Sequence, residues 1–180
     1  MLPAMTHATM SLFDAIHSQR AVRHFSAQPV SDEAIATILH AAICAPSGGN
    51  RQPWRFVVIR DAEIKRQLGQ WYLAAWQAAT ANMEALTQPY RHGAALAQQM
   101  ANVPVLILAC IDHGDASPRL GPVTRGASIY PAVQNLLLAA RALGLGTVLT
   151  TLHTQYEREI KALLHIPETV ETAALIPVGH

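Results

Sequence analysis

Three groups of residues in this sequence carry chemistry of their own. Arg20 and Arg23 stand three apart with the small Ala21 between them. In a turn or a helix that spacing brings both guanidinium forks onto one anion, and planar bidentate donors suit phosphate; read singly, they are two surface arginines. Residues 45–56 read Ala-Pro-Ser-Gly-Gly-Asn-Arg-Gln-Pro-Trp-Arg-Phe. Here Ser47, Asn50 and Gln52 offer donors and acceptors together, while Gly48 and Gly49 let the backbone approach a flat ligand closely. An ordinary helix-to-strand loop would use the same residues. The third group, Gly144 to Leu152, is a glycine stop followed by a β-branched run whose end exposes backbone amides and the hydroxyls of Thr150 and Thr151.

Other chemistries find no support in the residue pattern. No GxGxxG follows a strand, and neither GxxxxGK[ST] nor the GxSxG elbow of a serine hydrolase occurs. The nine histidines include no pair four apart, and Cys44 and Cys110 are too distant for a zinc pair, so no protein-bound metal is expected. Both cysteines read as buried reduced thiols. A net charge of +1 without a basic block argues against nucleic acid. The N-terminal segment lacks the basic start and apolar run of an export signal. The longest apolar runs fall short of the ~20 residues that span a bilayer, and a cytoplasmic protein is expected. With 51% hydrophobic and only 14% charged residues, and a mean hydropathy of +0.17, the chain is apolar for a surface wholly in water. A subunit interface accounts for that excess.

The elements that must position these groups follow from periodicity. The 180 residues suit one domain, with residues 1–11 as a flexible extension before a short helix over 12–18. Ser31, Asp32 and Glu33 open a helix whose Ile35, Ile38, Leu39, Ala42 and Ile43 recur at helical spacing, ending at Pro46. Trp54–Ile59 reads as a strand and Asp61 starts a further helix. A helical stretch over 76–99 is expected to break near Pro89, and 103–111 is a continuous apolar strand. Residues 112–126 form a long connection. A helix apolar almost all round covers 127–143, a strand 147–151, a helix 155–164 and a last strand 170–178. Helices and strands mix without regular alternation, which favours an α+β fold.

Taken together and in this order, Arg-x-x-Arg-x-Phe at 20–25, Ala-Pro-Ser-x-x-Asn-x-Gln-Pro-Trp-x-Phe at 45–56, and Gln134-Asn135-Leu136-Leu137-Leu138-Ala139-Ala140 running into Gly144-Leu145-Gly146-Thr147 resemble the FMN-dependent nitroreductase family over roughly residues 12–180. The resemblance implies a nitroreductase-like mixed central sheet flanked by helices, an intertwined homodimer, and one FMN at each of two sites built from both subunits. It implies that Arg20 and Arg23 hold the FMN phosphate, with Ala21 where many members carry a Ser. Ser47, Gly48 and Asn50, backed by Gln52, would reach across the dimer to the ribityl chain and pyrimidine edge, and Leu149, Thr150 and Thr151 would lie under the ring. Family members usually run on past the last strand with a tail that carries another basic residue toward the phosphate; this sequence stops at His180.

The activity so implied is transfer of a hydride from NADH or NADPH to flavin N5, then reduction of a nitroaromatic, quinone or enone by a ping-pong mechanism. No side chain acts as a nucleophile. Residues 71–100 and 112–126 would roof the site, with Trp71, Tyr72, Trp76 and Tyr90 as stacking candidates and Trp54 packing the loop. Relatives that fragment their own flavin or dehalogenate aromatics offer a second reading, and a non-catalytic flavin-binding dimer a third.

Overall fold

The computed structural model describes residues 10–112, 114, 124 and 126–180. Its helices are α1 (Leu12–Ser18), α2 (Asp32–Ile43), α3 (Ala62–Thr80), α4 (Gln88–Gln99), α5 (Ile129–Ala142) and α6 (Glu157–Leu164); its strands are β1 (Trp54–Ile59), β2 (Val105–Asp112), β3 (Gly146–Thr147) and β4 (Val170–Gly179). The sheet order is β1-β2-β4-β3, and every strand pair is antiparallel. Among the described residues the parallel element of this α+β sheet is a single bridge, Ala21 to Thr147.

The continuous apolar run of β2 has a plain cause, since the strand is central and covered on both faces. Val105, Ile107, Ala109 and Ile111 point to one side, into a core with Ile38 and Ala42 of α2 and Leu136 and Ala140 of α5. Leu106, Leu108 and Cys110 point to the other, against Leu68 of α3, Leu96 of α4 and Ile160 of α6. The alternation is the period of two that a pleated strand imposes. Opposite Ala109 and Cys110 the partner strand skips Ala173, a β-bulge that bends β4 at mid-sheet.

Local signals explain most boundaries. Ser11 accepts from the Asp14 amide and Ser31 from that of Ala34, so hydroxyl caps start α1 and α2. Ser11 thus belongs to the first helix, while residues 1–9 of the expected extension lie outside the described residues. Pro89 does not break a helix. The expected 76–99 stretch is two helices, and Pro89 lies in the first turn of α4, where its missing N–H is no loss. The expected strand 147–151 shrinks to Gly146–Thr147, with Thr150 making an isolated bridge to Leu175. The expected helix at 155 begins instead as a 3-10 turn over Leu152–Tyr156. Cys110 is buried as expected, but Cys44 is exposed, because the last turn of α2 puts it past the core-facing stripe.

Candidate flavin site

The segment after α1 runs beside β3. Ala21 bridges Thr147, and the Val22 amide donates to the Thr147 carbonyl at 3.0 Å. The approach is close enough that a Cβ on Gly146 would stand 2.7 Å from the Val22 side chain, so glycine is needed there. Arg20 and Val22 line a cleft of about 250 Å³ with Ser18, Arg141, Gly144 and His180. Arg23 lines a different one, of about 380 Å³. The two guanidinium forks therefore do not converge. Beside a strand the side chains alternate, and residues three apart leave on opposite sides, whereas a helix would have brought them together.

The larger cleft is walled by Val148, Leu149, Thr150 and Thr151 and roofed by Tyr72, Trp76, Met83 and Tyr90 from α3, α4 and their connection. Trp76 and Tyr90 lie 5.9 Å apart, tilted by 47°. The indole rests against Gly93, where a Cβ would be 2.2 Å from the ring. Tyr72 is buried; burial pushes its phenol above the usual range, opposed by a hydrogen bond with Thr150 and by the nearby Arg23 charge. Thr150 in turn donates its hydroxyl to the Leu175 carbonyl at 2.7 Å and exchanges backbone bonds with it. Arg23 contacts the Ala21 carbonyl only at 3.4 Å. Among the described residues the cleft thus offers one cation and several hydroxyls on an aromatic and aliphatic surface. Trp71 does not take part, since it stacks on Tyr156 at 6.3 Å beneath the sheet. Of the expected 112–126 roof, only residues 112, 114, 124 and 126 are described.

The loop at 47–52 is built for presentation. Ser47 Oγ accepts from the Gln52 amide at 3.0 Å, the Gln52 side chain donates to Asn50 Oδ1 at 3.0 Å, and the Gly48 amide donates to Ser128 Oγ at 3.3 Å. Asn50 and Gln52 hold φ of 52° and 51°, a left-handed conformation that costs a non-glycine residue about 1 kcal/mol. Trp54 anchors the end of the loop in the core, 6% exposed. Within one chain this loop stays far from the clefts. Trp54 pairs with Ile111, which pairs with Glu171, whereas Thr147 pairs with Val178 at the other end of β4. That is roughly 20 Å along the strand and about 14 Å across the sheet for Thr147, and about 13 Å along for Thr150, which pairs with Leu175.

Two groups near the site gave no signal in the sequence. Arg141, far along the chain, shares the cleft of Arg20. His153, in the turn after Thr151, is 1% exposed and neither ring nitrogen has a hydrogen-bond partner among the described residues. Burial lowers its pKa to about 4, opposed by the charge of Glu157. Burial also works against ionised Glu157, but bonds from the Thr172 amide and hydroxyl and from Lys161 outweigh it and hold the carboxyl low. Among the described residues no group of three or more His, Cys, Asp or Glu could hold a metal, and no helix is long and apolar enough to cross a membrane.

Residues 16–180 match the Nitroreductase family, and the chain belongs to it. A protein of Archaeoglobus fulgidus provisionally named NADH dehydrogenase/NAD(P)H nitroreductase is 32% identical over 170 residues, covering 92% of this chain and 82% of its own. A 5,6-dimethylbenzimidazole synthase of Rhodospirillum rubrum is 36% identical over 137 residues, covering 71% and 63%. A structure of oxidised iodotyrosine deiodinase bound to FMN and 3-iodo-L-tyrosine superposes with a TM-score of 0.77 at 26% identity, over 94% of this chain and 89% of that one.

Proposed function

We propose that this protein is an FMN-dependent oxidoreductase that uses NADH or NADPH to reduce a nitroaromatic, quinone or enone by a ping-pong cycle. The observation that carries the reading is the Ala21–Thr147 bridge, which fixes the arginine segment against the run leading to Leu149–Thr151. The residues present fit a flavin. One cleft has cations for a phosphate, and the other joins an aromatic roof to Arg23 and a wall with two threonines. Bound there, FMN would supply the hydride and electron chemistry, and the protein would supply orientation and electrostatics. Arg20 faces the phosphate side, Ala21 fixes the segment in its bridge to Thr147, Arg23 faces the ring, where its charge favours the reduced, anionic form, and Leu149, Thr150 and Thr151 support the ring.

Ser47, Gly48, Asn50 and Gln52 come to this site from a second copy of the chain. The separation of loop and cleft within one copy supports that arrangement. So do Leu12, Phe13, Ile16, Ile43 and Tyr130, apolar side chains exposed by 44% or more and suited to an obligate interface.

The test is a visible absorption spectrum of the protein with added FMN, before and after anaerobic NADH and NADPH. Flavin bands that bleach with either nucleotide and return with an acceptor are expected. Bands that persist with both would overturn the reductase reading, and failure to bind FMN at all would overturn the cofactor with it.

A further inference from the structure

We propose that Arg141 is a cofactor-binding residue, the partner of Arg20 on the FMN phosphate, with Arg23 committed to the ring instead; this rests on the flavin reading above. Arg20 and Arg23 leave opposite sides of their segment and line different clefts, so one phosphate cannot take both forks. Arg141 fills the place that this leaves. It comes from the last turn of α5 into the cleft of Arg20.

Each guanidinium is held in place with donors to spare. Arg141 donates Nε to Ser18 Oγ at 2.9 Å, and Ser18 is itself fixed by donating to the Asp14 carbonyl at 2.6 Å. That contact sets the plane of the Arg141 fork and leaves its terminal nitrogens for a ligand. Arg20 uses one nitrogen, Nη1, on the carbonyls of His17 and Gln19 at 2.9 and 2.6 Å, which leaves Nη2 and Nε. Among the described residues no carboxylate side chain lines the cleft, and two cations that share such a space are complementary to a dianion such as a phosphate monoester. The cleft also lies at the right remove from the ring. Thr147 lines it, and Leu149–Thr151 line the neighbouring one. Two to four residues of extended chain reach about 7 to 13 Å, which suits a five-carbon ribityl chain and its ester oxygen.

The competing role for Arg141 is structural. A cation at a helix C-terminus offsets the helix dipole, and the Ser18 contact ties α1 to α5. Phosphate would be indifferent to that role. The two are separated by titrating wild type, Arg141→Ala and Arg141→Gln with FMN and with riboflavin, which lacks the phosphate, following flavin fluorescence, with the thermal midpoint of each apoprotein measured alongside. Gln keeps a donor for Ser18 but removes the charge. We expect both variants to weaken FMN by about ten- to hundred-fold, the range for a hydrogen bond to a charged group, with riboflavin affinity changed less than about two-fold. Equal losses for both flavins, or FMN affinity unchanged, would overturn the role of Arg141 while leaving the flavin reading intact. Wild-type protein that binds neither flavin would overturn both.

Discussion

At the scale of single residues, the site is defined by which way each side chain leaves its backbone. Ala21 lies in the bridge to Thr147 and offers no hydroxyl. Its side chain leaves the segment on the side away from Arg20 and Val22, so Ala21→Ser should leave the preference for FMN over riboflavin within about two-fold of wild type, as read by fluorescence titration. His153 carries a prediction of the opposite kind. Its pKa is lowered from 6.5 to about 4, so the folded protein keeps it neutral while the unfolded chain takes up a proton. The unfolded state therefore binds more protons between pH 6.5 and 4, and stability falls as pH drops through that window. The shift amounts to roughly 3 kcal/mol at most. Chemical denaturation of wild type and His153→Phe at pH 7 and pH 4.5 measures it. The variant should lose distinctly less stability on acidification, and identical losses would remove His153 as a cause.

Elements decide how wide the aromatic cleft is. α4 crosses α3 where Gly93 meets the Trp76 indole, and a methyl group there would have to displace the ring. Gly93→Ala is expected to destabilise the fold by about 1 to 3 kcal/mol, the usual cost of overpacking, measured by urea unfolding. It should also alter acceptor KM more than FMN affinity, because Trp76 and Tyr90 belong to the roof rather than to the wall formed by Leu149–Thr151. Thr150 ties that wall to β4 through Leu175. Its movement is therefore coupled to the sheet, whereas the roof moves with α3 and α4.

At the scale of the whole molecule, the proposed site joins clefts to a loop that lies roughly 20 Å along the sheet from Thr147 and about 13 Å from Thr150. If a second copy supplies it, Arg23→Ala and Asn50→Ala should each weaken flavin binding as pure homodimers. Mixing and reassociating the two variants should restore about a quarter of wild-type sites, since half the dimers are mixed and each has one intact site. No recovery on mixing, with both homodimers defective, would mean that the loop and the arginine of one copy serve the same site and that the partner does not supply the loop. Phe13→Glu, on an exposed apolar position of α1, should shift the protein toward monomer in analytical ultracentrifugation and reduce FMN affinity in parallel.

Much of this protein is determined locally and was therefore legible in its sequence. Capping hydroxyls at Ser31, the apolar stripe from Ile35 to Ala42 and the unbroken run of β2 each act within a few residues, so α2, β1 and β2 could be placed from periodicity. Thr147–Thr151 could not, because a β-branched run has strand propensity everywhere but becomes strand only where a neighbour offers a ladder, and β4 does so for Gly146–Thr147 and again at Thr150. The same holds for chemistry. Sequence alone marked Arg20, Arg23, the 47–52 loop and Leu149–Thr151 as residues with hydrogen bonds to offer. Whether two arginines three apart converge or part depends on helical or extended backbone, and here the pairing with β3 decided that they part. The meeting of Arg20 with Arg141, the burial of His153 and the distance between loop and cleft were likewise decided by tertiary structure, because packing brings together groups whose separation along the chain carries no information about their separation in space.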